Sequence, residues 1–98
     1  MSKYSIEIHP DAEIEAQEAF RWYRERDAAA GAAFLLALDH AIATLAEAPD
    51  RFPPYAHGTQ RVLLRRFPYA LLFRRVDAVI QILAVAHARR RPGYWRKR

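Results

Sequence analysis

The chemistry-bearing residues of this chain crowd into its last third. Arg61, Arg65 and Arg66 stud one short segment, His87 closes an apolar one, and the stretch HARRRPGYWRKR occupies 87–98. An imidazole near neutral pH can give or take a proton, and a guanidinium grips phosphate or carboxylate by two parallel hydrogen bonds. Brought together, Arg61, Arg65 and His87 would suit phosphodiester cleavage, with the arginines holding the phosphate and His87 acting as acid or base. Tyr94 and Trp95 could stack on splayed bases, at roughly 1–3 kcal/mol per base. Arg66, Arg89, Arg90 and Arg91 would add contacts to phosphates or to an acidic protein. Each residue also has a plainer role open to it. His87 can be a strand-end histidine bonded to backbone, and Arg61 and Arg65 can be a solvated strand face. The basic tail can be a solvated end, with Tyr94 and Trp95 docked on the core to tie it down.

Charge is sharply divided between the halves. Residues 1–50 hold ten acids and four bases, a balance of −6; residues 51–98 hold twelve bases and only Asp77, a balance of +11. Such polarity argues about partners and points to an anion-binding face in the second half. The expectation is one exposed cationic cup gathered around the imidazole.

Several chemistries are excluded. No cysteine is present, so disulfides, thiolate zinc sites and cysteine nucleophiles drop out. His9, His40, His57 and His87 lack ligand spacing, and Glu13, Glu15 and Glu18 read as an acidic first helix, so neither metal nor cofactor is expected. Ser2 and Ser5 are the only serines, and no glycine-rich phosphate loop occurs. No uninterrupted apolar run reaches roughly 18 residues, and the N-terminus lacks a signal pattern, so the default location is the cytoplasm, away from membranes. The length suits a single domain over residues 1–98.

The positioning elements follow from periodicity. Tyr4 to Ile8 alternates as a short strand. His9-Pro10-Asp11 stops it and opens a helix to about Arg26, with Glu13, Glu15, Glu18, Arg21 and Arg24 mostly facing water. After a break at Asp27–Gly31, a second helix runs to about Glu47 on an apolar stripe of Phe34, Leu35, Leu38, Ala41, Ile42 and Leu45. A loop follows to Gly58, rich in proline. Three strands, at 60–67, 69–76 and 79–87, are joined too tightly for parallel crossovers. The fold class is α+β, in the order β-α-α-β-β-β, with a helical hairpin packed on a small, mostly antiparallel sheet. Alternation puts Ile80, Ile82, Ala84 and Ala86 against the helices, and turns His87 toward the open face together with Arg61 and Arg65.

Four segments carry a family resemblance across nearly the whole length. They are HPDAEIEAQEAFRWY at 9–23, LAEAPDRFP at 45–53, RVLLRRFPYALLF at 61–73 and VIQILAVAHARRRPGYW at 79–95. In this order they resemble the RelE/ParE superfamily of bacterial type II toxin–antitoxin toxins, including members called plasmid stabilisation proteins. The resemblance implies a growth-inhibiting toxin held silent in a hetero-oligomer by a cognate antitoxin. RelE-like members cut mRNA on the ribosome, whereas ParE-like members poison DNA gyrase. In the RelE-like branch, basic residues on the second strand and at the start of the third, plus a residue after the last strand, hold and protonate the phosphodiester. Here the counterparts are Val62, Leu64 and Ala70, leaving Arg61, Arg65, Arg66 and His87 as substitutes. That departure favours ParE-like action on gyrase. The alternatives are a ribosome-dependent mRNA endonuclease and a module that binds only its antitoxin and operator complex. The antitoxin is expected to be a short acidic or amphipathic segment that folds on docking. It would cover the groove between helices and sheet, or the Arg61/Arg65 face.

Overall fold

His9 and Asp27 punctuate the N-terminal half, and each does so with its own side chain. The structure, a computed structural model, describes residues 3–98. Strand β1, Ser5–Ile8, ends at His9, whose Nδ1 accepts the Asp11 N–H at 3.1 Å. Pro10 then occupies the first position of helix α1, Pro10–Arg26, where no N–H is required. Asp27 is extended and serves both helices. Its N–H donates to the Tyr23 carbonyl at 3.0 Å, and its Oδ1 accepts the Ala29 N–H at 3.0 Å. Helix α2, Ala28–Glu47, therefore starts at once, and the expected five-residue break shrinks to one residue. Gly31 permits the close crossing: a Cβ there would lie 2.9 Å from the Cβ of Arg24.

Three strands complete the sheet: β2, Gln60–Leu63; β3, Tyr69–Val76; and β4, Val79–His87. The strand order is β1-β4-β3-β2, with β1 parallel to β4 and the other pairs antiparallel. This is the expected α+β arrangement. Helix α2 is long and apolar enough to cross a membrane. Here it buries Phe34, Leu38, Ala41 and Leu45 in the core and exposes Asp39 and His40.

One irregularity decides which side chains face where. Leu72 pairs with Ala84 while Phe73 pairs with Ile82, so Leu83 is an extra residue in β4. A bulge of one residue reverses the alternation beyond it. Ile80, Ile82 and Val85 therefore pack under the helices with Leu71, Phe73, Val62 and Leu64. Leu83, Ala84 and Ala86 pack on the opposite face with Ala70, Leu72 and Trp95. The expectation that Ala84 and Ala86 meet the helices, and that His87 turns away from them, is corrected by this bulge. The sheet has apolar residues on both faces, and residues 88–98 fold back across the second face.

A partly buried carboxylate anchors that return. Strand β1 pairs with β4 only as far as Ile82, leaving the edge of the next five residues bare. Glu15, expected to face water, turns inward from α1 with a side chain 14% exposed. Its Oε1 accepts the Val85 N–H at 3.1 Å and Nη1 of Arg98 at 2.8 Å. Its Oε2 accepts the Tyr94 hydroxyl at 2.7 Å and Nη2 of Arg98 at 3.3 Å. Arg98 Nη1 also reaches the Leu83 carbonyl at 3.0 Å. Removing such a carboxylate leaves a backbone N–H and a hydroxyl without their acceptor, and Arg98 with only the Leu83 carbonyl and Asp11. Glu15→Ala is expected to cost about 3 kcal/mol in urea unfolding, and Glu15→Gln, which keeps one acceptor oxygen, about half as much.

Candidate functional site

The residues singled out above do not converge as one group. Strand β2 stops at Leu63 because Arg65 and Arg66 form a turn, with Arg66 at φ 67°. Val62 and Leu64 point inward, 7% and 5% exposed, so Arg61 and Leu63 take the open face. Alternation would have put Arg65 beside Arg61, but the turn ends the alternation. Arg65 instead lines a depression against α2 with His40, Ala41 and Thr44. The expected pairing of Arg61 with Arg65 is thus corrected.

The wider cationic cup is corrected as well. Arg74 donates to Gln81 Oε1 at 2.7 Å, Arg75 bonds the Tyr4 hydroxyl and Asp50, and Arg98 is bound to Glu15. Arg89 and Arg91 are exposed in the returning segment.

What converges is a smaller cleft of about 280 Å³ on the open face, at the end of β3 and β4. Arg61 lies over the Tyr55 ring, 4.4 Å from its centroid. Arg90 lies over Tyr94 at 3.8 Å and borders the same cleft. Leu63, 65% exposed, and Leu72 and Ala86 supply its apolar lining. Among the described residues no carboxylate lines it. Its chemistry is that of an acceptor for anions with an apolar portion.

His87 stands at the rim. Its ring meets Tyr69 edge-on at 5.0 Å, and its Nδ1 accepts the Arg89 N–H at 3.0 Å. A ring nitrogen that accepts must carry a lone pair, so the neutral imidazole bears its proton on Nε2. In that state His87 offers Nε2–H as a donor and has no free basic nitrogen. The arrangement can bind an anion, but proton abstraction would require the Arg89 contact to break and the tautomer to change.

Tyr94 and Trp95 do not stand free to stack on bases. Trp95 is 2% exposed, stacked on Tyr55 at 5.9 Å, with Tyr94 edge-on at 5.3 Å. Its indole Nε1 is buried and finds no hydrogen-bond partner. That omission costs about 1–3 kcal/mol, whereas burying about 200 Å² of ring returns about 5 kcal/mol, so docking wins. Gly93, at φ 94°, makes room for the return, because a Cβ there would lie 2.5 Å from His57 Nε2.

Tyr55 and Glu15 are the participants that residue reasoning missed. Tyr55 sits in a proline-rich loop with no periodicity to mark it. Glu15 did leave a signal: it lies three residues after buried Ala12 and four before buried Ala19, on the inward stripe of α1.

Fold and cleft together define a small α+β protein with an arginine-lined cleft at one sheet end and its C-terminal segment used as structure. Comparison with known proteins makes this specific. Residues 6–92 match the family model described as the ParE toxin of type II toxin-antitoxin system, parDE. Toxin ParE2 of Mycobacterium tuberculosis, in strains CDC 1551 / Oshkosh and H37Rv, is 31% identical over 91 residues, covering 90% of this chain and 85% of the relative. A solved structure titled as the chromosomal ParDE TA system from P. aeruginosa superposes with a TM-score of 0.75 at 19% identity. It covers 87% of this chain and 96% of that one, and shows the shared fold. The chain belongs to the ParE toxin family of type II toxin–antitoxin systems.

The Tyr94 latch has a pH signature. Burial raises the Tyr94 pKa well above 10.0, and the hydrogen bond to Glu15 and its charge raise it further, against the lowering effect of Arg90 and Arg98. The folded state then holds the phenolic proton more tightly than the unfolded chain does, so stability is full below pH 10 and falls as pH rises beyond it. Thermal melts are expected to show this alkaline decline, and Tyr94→Phe to lessen it. The part contributed by Tyr23 and Tyr69, both also raised by burial, should persist.

Proposed function

We propose that this toxin arrests growth by binding DNA gyrase, and that it does so without cutting RNA. The observation that carries the reading is the state of His87. Its one free lone pair is committed to the Arg89 N–H, and no carboxylate borders the cleft to serve as a base in its place. The positions where RelE-like relatives carry basic residues point the same way, since Val62, Leu64 and Ala70 are packed as core. The family resemblance supplies gyrase as the target, and Arg61 and Arg90 offer donors to an acidic surface on it.

The cognate antitoxin has a separate seat available. Between α1 and α2 lies a trough of about 260 Å³ lined by Ile8, Ala16, Phe20, Leu35, Leu38 and Ile42. Ile8 and Leu35 remain 45% and 41% exposed there, and the trough is far more apolar than the Arg61 cleft. An amphipathic helix would bury that surface, which favours this seat over the arginine face. Cytoplasmic location accords with both proposed encounters.

Purified toxin is expected to inhibit supercoiling by gyrase, and its induction to raise the DNA-damage response without ribosome-dependent cuts in messages. His87→Ala should keep inhibition within about threefold. Ribosome-dependent cleavage that disappears in His87→Ala would overturn the reading in favour of an endonuclease.

A further inference from the structure

Helix α1 has a second trough on its other flank, of different chemistry. It measures about 440 Å³ and lies between α1 and the end of β3 and β4. Trp22, Tyr23, Tyr69 and His87 form a run of rings along it. Trp22 meets Tyr23 edge-on at 5.0 Å, Tyr23 and Tyr69 lie 6.4 Å apart, and Tyr69 meets His87 at 5.0 Å. Trp22 is 51% exposed, unlike Trp95. Glu18, one turn before Trp22 on α1, is exposed and makes no hydrogen bond or ion pair with the described residues. Its charge nonetheless reaches Tyr69, whose pKa is raised by burial first, then by Tyr23 and Glu18.

The charges bordering this trough leave one vacancy of sign. Glu15 is spent on Arg98, Tyr94 and Val85. Among the described residues Arg90 is the one cation in the lining, and it also borders the Arg61 cleft. Glu18 is left as an unanswered carboxylate beside aromatic faces, and such a setting draws a cation. The indole already takes a guanidinium from its own chain: Arg26 lies 3.5 Å from the Trp22 centroid while donating to the Trp22 carbonyl at 2.7 Å. A phosphate in the same place would meet the Glu18 carboxylate. The flank also belongs to the half of the chain with a balance of −6.

We propose that the trough bounded by Glu18, Trp22 and Tyr69 receives an arginine or lysine side chain presented by a protein partner. The charged head sits between the Glu18 carboxylate and the ring faces, and the aliphatic stem lies along Tyr69 and Pro68. This contact takes the opposite charge to the Arg61 cleft, with which it shares Tyr69, His87 and Arg90, and it does not depend on gyrase being the target. Helix α1 would then carry an apolar trough on one flank and a cation-accepting trough on the other.

The test is a nuclear magnetic resonance titration of the full chain with the blocked tripeptide Ala-Arg-Ala, its citrulline counterpart and uridine monophosphate. Citrulline keeps the planar shape and loses the charge. The arginine peptide is expected to move the Trp22 indole N–H and the Tyr69 resonances while the Trp95 indole stays still. Citrulline should bind about fivefold more weakly, and Glu18→Gln should weaken the arginine peptide by a similar factor. Trp22→Leu, a second exposed position, should also weaken it. Equal binding of arginine and citrulline, an unaffected Glu18→Gln, or movement by uridine monophosphate in the same trough would overturn the proposal.

Discussion

Strand β4 outruns its parallel neighbour by five residues, and the polar edge left bare must be met by something other than a strand. Glu15 and Arg98 meet it, one accepting the Val85 N–H and the other donating to the Leu83 carbonyl. Each of these charges would be costly to bury alone, and together they satisfy each other and the edge. The consequence runs through the second face of the sheet. Arg98 at one end of the return and Tyr94 within it fix residues 88–98 in place, and Trp95 between them covers Ala70, Leu72, Ala84 and Ala86. Without that cover the sheet would expose the apolar residues of its second face. The basic tail is therefore a wall of the fold before it is a ligand for anything.

That dependence explains which parts of the molecule were legible in the residues alone. Element order, the helical hairpin and the antiparallel meander follow from local spacing, and they appear as expected. The facing of β4 did not follow, because one bulged residue at Leu83 reverses every position after it. VIQILAVAH is apolar on both parities, so nothing in its composition marks where the reversal occurs. Arg65 was misplaced for a related reason: two successive arginines look like a strand continuing, whereas the positive φ of Arg66 shows the chain already turning. Glu15 was readable in principle, since it lies on the buried stripe of α1. Its charge outweighed its spacing because the partner that makes burial tolerable lies 83 residues away.

The fate of the arginines follows the same division between local and distant partners. Twelve basic residues in the second half could have made one cup only if most lacked other business. Asp50 engages Arg75, Gln81 engages Arg74 and Glu15 engages Arg98, so the sheet draws these cations into its own surface. What remains at the cleft is Arg61 and Arg90, each lying on a tyrosine ring. Guanidinium groups laid on rings lose some freedom before a ligand arrives, which lowers the ordering cost of binding.

Helix α1 is where these threads meet. Its inward stripe packs Ala12 and Ala19 on the sheet and delivers Glu15 to the edge of β4. Its two flanks border troughs of unlike character, apolar toward α2 and aromatic with Glu18 toward His87. Val85 lines both, so the floor that Glu15 fixes by its hydrogen bond is common to the two. His87 and Tyr69 in turn stand between the Glu18 trough and the Arg61 cleft, since both border each of them. A partner filling one depression presses on residues that shape the next. In so small a sheet, separate surfaces of opposite charge can share walls one side chain thick, and the carboxylate that closes the fold also sets the geometry on which all three surfaces rest.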